Sequence, residues 1–141
     1  MTASTNKPPV WFWIVSVFAL LWNGLGVMAY LAQAFMTDQM IAELPKEQQA
    51  EFLVEHPAWY TAAFAIAVFC GALGCLSLLI RKKWAHILFI LSALGAIIQH
   101  VYLFTTVQMD IAAMIMPILI IVVCLLLIFF AKNSIAKGWL K

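Results

Sequence analysis

Four long apolar stretches dominate the chain, roughly Val10 to Met36, Ala58 to Ile80, Trp84 to Val107 and Ile111 to Ala131. Charged and polar residues are pushed into the short pieces between and outside them. A helix needs about 20 residues to cross the hydrocarbon layer of a bilayer, and each stretch is long enough. The pattern predicts an all-α membrane protein, a four-helix bundle formed as a single domain. The only sizeable connection is residues 37–57. There, Pro45 suits the first position of a helix, residues Lys46 to Glu55 are good helix formers, and Pro57 blocks continuation. A short acidic helix is expected on that segment, with Glu47, Glu51 and Glu55 along one side. Only Gln108 to Asp110 separate the last two apolar stretches, which therefore form an antiparallel hairpin. The tail after Lys132 reads as short, basic and helical to Trp139.

Charge orients this arrangement. Every acidic residue (Asp38, Glu43, Glu47, Glu51, Glu55 and Asp110) lies in the first or third loop. Of the eight Lys and Arg, seven (Lys7, Arg81, Lys82, Lys83, Lys132, Lys137 and Lys141) lie in the N-terminal segment, the second loop or the tail. Four crossings put the two sets on opposite faces. Basic residues close to membrane spans are retained in the cytoplasm, so both termini are expected there. Trp11, Trp13, Trp84 and Trp139 mark one interface, and Trp59 with Tyr60 the other. Ala32-Gln33-Ala34 has the small-x-small form of a signal-peptidase site, but the apolar run before it exceeds the 7–15 residues, roughly, of a signal-peptide core. An uncleaved first helix is expected.

Composition narrows the function. The chain has 141 residues, of which 66% are hydrophobic and 10% charged; ordinary soluble domains are nearer half apolar and a quarter charged. A net charge of +2, split between faces, gives no nucleic-acid surface. Cys70, Cys75 and Cys124 all fall within apolar stretches and read as packing residues. No CxxC, HExxH or Ser/His/acid spacing is present, so no enzyme, cofactor or metal site is expected. His56 and His100 with Asp38, Glu55 and Asp110 fall toward one face, but without metal-ligand spacing. No Asp, Glu, Lys or Arg lies mid-span, where ion-coupled carriers place one.

Two polar stripes remain. Ser16, Asn23 and Tyr30 recur every seven residues in the first span, and Ser92, Gln99 and Thr106 do so in the third. Unpaired polar groups are costly in lipid, so both stripes should face the bundle interior. They either hydrogen-bond between helices or line a path for a small uncharged solute. Asn23, Tyr30, Gln99 and Ser92 are the candidate solute-binding residues. Gly24 and Gly26 soften the first span or admit another backbone. Ala67, Gly71, Gly74 and Ser77 form a small-residue face suited to close helix packing, within the chain or in a homo-oligomer. Pro117 interrupts the hydrogen-bonding of the last span.

The stretch Pro9-Val10-Trp11-Phe12-Trp13, then Asn23-Gly24 and Tyr30-Leu31, resembles a family of small bacterial inner-membrane proteins commonly called sugar transporters. So do Pro57-Ala58-Trp59, Ala62-Ala63-Phe64-Ala65, Gly71-Ala72-Leu73-Gly74 and Leu79-Ile80-Arg81-Lys82-Lys83-Trp84-Ala85. The resemblance covers most of the chain and implies the inner membrane of a Gram-negative bacterium; it carries over no catalytic residue. Two functions stay open. One is a facilitator of small polar solutes such as sugars, which for four helices implies an oligomer. The other is an accessory membrane protein that binds a partner through its acidic outer loop and glycine-rich helix face.

Overall fold

The structure, a computed structural model, describes residues 7–46, 48–49, 57–106 and 110–141. Among them are five helices: α1 (Val10–Ala34), α2 (Asp38–Ala42), α3 (Ala58–Leu79), α4 (Ala85–Thr106) and α5 (Ile111–Ala136). Four are long and apolar enough to cross a membrane. They pack in series, α1 on α3, α3 on α4 and α4 on α5. The chain is thus an all-α bundle of the multi-pass membrane type. The outward surface of the four long helices is largely apolar, with Val10, Phe18, Leu25, Ile111 and Phe129 among the exposed side chains. In water such a surface would drive aggregation; facing lipid tails it costs nothing, because lipid is as apolar as leucine.

α3 and α4 are the central pair and bury the largest shares of their length, whereas α1 and α5 flank them. Small residues set how closely the central pair approaches. A Cβ on Gly95 of α4 would stand 2.7 Å from the Ala63 carbonyl oxygen and 3.0 Å from the Ala67 nitrogen of α3. Backbone meets backbone there, and neither side can rotate away. One turn earlier, Ser92 Oγ donates to the Ala67 carbonyl at 2.5 Å. A Cβ on Gly74 of α3 would lie 2.7 Å from the Phe89 ring of α4. By contrast nothing lies within 4 Å of a Cβ on Gly24, and Gly26 faces only the Val68 side chain, 3.1 Å away. The tight backbone approach therefore sits at Gly95 rather than at the α1 glycines.

The boundaries differ from expectation mainly in α5. It continues past Ala131 to Ala136, because Lys132 and Asn133 sit beyond the most apolar stretch without breaking the helix. It also stops before Trp139, contrary to the expected helical tail. Gly138 adopts φ 75°, and the Gly138 and Trp139 amides donate back to the Ile135 and Ser134 carbonyls, a Schellman closure that favours glycine at this position. α3 ends the same way with Arg81 in the glycine position, φ 60°, its amide on Leu78 O and that of Lys82 on Ser77 O. In the first loop the structure adds the short α2, capped by Thr37, whose hydroxyl accepts from the Met40 amide. The Gln48 and Gln49 amides donate to Pro45 O. Most of the expected acidic helix, including Glu47, Glu51 and Glu55, lies outside the described residues.

Replacing Gly95 by alanine is expected to cost about 1–3 kcal/mol, the usual penalty of overpacking, since α3 and α4 must separate. Gly24→Ala is expected to be neutral or to stabilise by up to ~1 kcal/mol, as alanine is the better helix former. Denaturant titrations of both variants in detergent micelles measure the difference. Equal stabilities would contradict this packing.

Candidate functional site

Midway along the bundle, α1, α3 and α4 meet around Gly71. A Cβ on Gly71 would collide with the Asn23 carboxamide oxygen of α1 and would also stand 3.1 Å from Ser92 Oγ of α4. Asn23 Nδ2 donates to Ala19 O at 2.9 Å and reaches Cys75 Sγ of α3 at 3.4 Å. Ser92 is engaged with Ala67 O. Two of the four candidate residues, Asn23 and Ser92, thus converge on one glycine, and they do so as mutual packing. Ser16, buried, turns its hydroxyl back to Phe12 O at 2.8 Å, and Ser77 does likewise to Leu73 O at 2.8 Å.

Ala67, Gly71, Gly74 and Ser77 are all buried, against α1 and α4 of the same chain. Within the chain, Asn23, Ser92 and Phe89 pack against this small-residue face.

Gln99 and Tyr30 lie nearer the end that carries the first and third loops, on either side of Tyr60. Gln99, 5% exposed, donates from Nε2 to the Tyr60 hydroxyl at 3.4 Å, a long bond. Tyr30 stacks on Phe64, with ring centroids 5.4 Å apart. Tyr60, in the first turn of α3, turns inward and is buried, 1% exposed, whereas its neighbour Trp59 is exposed. Thr106, the last member of the second stripe, is also exposed. A hydroxyl can be buried among helices when a polar side chain comes to meet it, and Gln99 is that partner.

Tyr30, Gln33, Ala34, Tyr60, Thr61 and Phe64 line a cleft of about 160 Å³ between α1 and α3. It offers hydroxyls, one carboxamide and aromatic faces, and no charged side chain. Amides and hydroxyls can both donate and accept, so its chemistry suits a neutral polar molecule. The sequence does not mark Gln33 or Thr61 as solute contacts, since at a span end a polar residue is expected simply to face water. His100 is buried, 5% exposed, with Nδ1 at 2.7 Å from Ala96 O. That contact makes Nδ1 the protonated nitrogen, since a carbonyl only accepts. Among the described residues no three His, Cys, Asp or Glu side chains are grouped to hold a metal; His56 and Glu55 fall outside them.

Comparison with known protein families, with curated proteins and with solved structures gives no match.

If Asn23 and Gly71 are in contact as described, their substitutions must be non-additive. Gly71→Ala is expected to destabilise by about 1–3 kcal/mol, and a large part of that loss should be recovered in Gly71→Ala/Asn23→Ala, where the amide no longer obstructs the methyl. Strict additivity in a double-mutant cycle would contradict the contact.

Proposed function

We propose that this chain is a bacterial inner-membrane protein with both termini in the cytoplasm, and that it serves as an accessory membrane protein rather than as a carrier. The observation that supports this most is the state of the mid-span polar groups. Asn23 and Ser92 are held against Gly71, Cys75 and Ala67. A hydrated sugar crossing there would have to displace side chains whose hydrogen-bonding is already met inside the bundle. The charge asymmetry supports the orientation, since basic segments are the ones retained in the cytoplasm. In this reading a partner is bound through the acidic residues of the first loop.

The cleft supports a second reading, a binding site for a small neutral polar solute such as a sugar. Aromatic faces, hydroxyls and a carboxamide around about 160 Å³ fit that chemistry. As a facilitator the protein would need a second conformation in which the contact between Asn23 and Gly71 opens, or an oligomer in which the path runs elsewhere.

Proteoliposomes holding the purified chain, offered radiolabelled hexoses and pentoses, separate the two readings. The expected result is no saturable uptake above empty vesicles. Saturable uptake that is lost in folded Asn23→Leu or Gln99→Leu would establish the facilitator instead. For orientation, a green fluorescent protein fused after Lys141 should fluoresce, and alkaline phosphatase inserted in the first loop should be active; the reverse pattern overturns the topology.

A further inference from the structure

The end of the bundle that carries both termini is closed by a clasp between sequence-distant segments. The Lys141 amide donates to Arg81 O at 2.8 Å, and the Lys83 amide donates to Lys141 O at 3.0 Å. The Arg81 guanidinium adds a third bond, Nε to Trp139 O at 2.8 Å. Leu140, 2% exposed, and Trp139, 8% exposed, enter the core beside Phe12 and Phe89. The tail is thus pinned by backbone pairing on one side and by apolar burial on the other.

The clasp gathers charge. Lys82 and Lys83 from the α3–α4 turn and Lys141 from the tail are all exposed, and the backbone pairing brings them together. Lys137 stands over the Trp139 ring at 4.8 Å and the Trp11 ring at 5.9 Å from their centroids. The described acidic side chains, Asp38, Glu43 and Asp110, belong to the loops at the opposite end, so among the described residues no carboxylate side chain offsets this group. Trp11 and Trp84 are exposed at the same end, as rings that sit at the level of lipid headgroups are. Basic groups held at headgroup depth attract anionic lipid, and the attraction decays within a Debye length.

We propose that the docked tail and the α3–α4 turn together form a binding site for the phosphodiester headgroup of an anionic phospholipid, composed of Lys82, Lys83 and Lys141. The site is composite, because neither segment alone concentrates the three cations. It rests on placing the chain in a membrane, as proposed above, and is independent of whether the protein transports anything.

The test is native mass spectrometry of the full chain in neutral detergent, titrated with phosphatidylglycerol and with phosphatidylcholine of the same acyl chains. Phosphatidylglycerol should bind at least tenfold more tightly, with affinity falling as salt is raised. Lys82→Gln, Lys83→Gln and Lys141→Gln should each weaken it about fivefold. Leu140→Asn keeps every charge but undocks the tail, which loss of amide-exchange protection at Lys83 and Lys141 would report; it should also lower the affinity severalfold. Equal affinity for the two lipids overturns the site, as does an undocked tail that binds unchanged. Displacement of the lipid by equimolar inorganic phosphate would make free phosphate the ligand and overturn the lipid assignment. Should Leu140→Asn fail to fold, the lysine variants decide alone. Failure of the chain to insert into vesicles would sink the membrane reading, whereas an inserted chain indifferent to lipid charge would sink only this one.

Discussion

The contact on which the bundle depends is the approach of the α4 backbone to α3 at Gly95. In lipid, helices gain nothing by hiding apolar side chains from their surroundings, so association rests on dispersion contacts and on hydrogen bonds between helices. Both grow with proximity. Gly95 lets the two backbones come close enough for Ser92 to reach the Ala67 carbonyl, and the same approach leaves Gly74 space only for the Phe89 ring. Once α3 and α4 are fixed, Gly71 presents a flat spot on which the Asn23 amide seats, and α1 acquires its position from that contact.

The bundle is held differently along its length. Around the termini it is tied by rings and by the clasped tail: Phe12 stacks on Phe130 with centroids 5.5 Å apart, and Trp11 and Phe12 both pack edge-on against Trp139. These contacts join α1 to α5, the two flanking helices, across the ends of α3 and α4. At the other end, α1 and α3 diverge enough to leave the cleft beside Tyr30 and Thr61. A polar cleft is tolerable there because water and headgroups reach a span end, whereas midway through the bilayer the same groups must satisfy one another.

Much of this was legible in the sequence, because the bilayer imposes its demands on composition directly. The four long helices follow from the length of the apolar runs, with ends displaced by a few residues, most at α5. Glycines 71 and 74 stand out as a small-residue face since their spacing is helical. Gly95 does not, because it stands alone in an ordinary apolar context and its importance lies in what faces it, a carbonyl on another helix. The tail misled for a similar reason. Residues 132–139 carry fair helix formers, and the helix is ended by Gly138 together with the pull of Leu140 into the core, a tertiary effect. For the site, Asn23 and Ser92 could be placed on inward faces by period alone, but that both would bear on Gly71 depends on the register between helices. That Tyr60 would be buried could not be read from the sequence, because its hydroxyl meets Gln99, a side chain 39 positions further along the chain.

Arg81 holds a left-handed backbone that costs a side-chain-bearing residue roughly 1–2 kcal/mol, and its guanidinium bond to Trp139 helps to offset it. During translation those two residues are made at different times. At ~5–20 residues per second, the turn emerges from the ribosome several seconds before the tail does. Over that interval the α3–α4 hairpin is complete in its glycine contacts but lacks the last segment that locks its turn. The segment that locks the second loop is therefore made well after the loop itself, and a chain interrupted within α5 would leave Arg81 without its bond to Trp139.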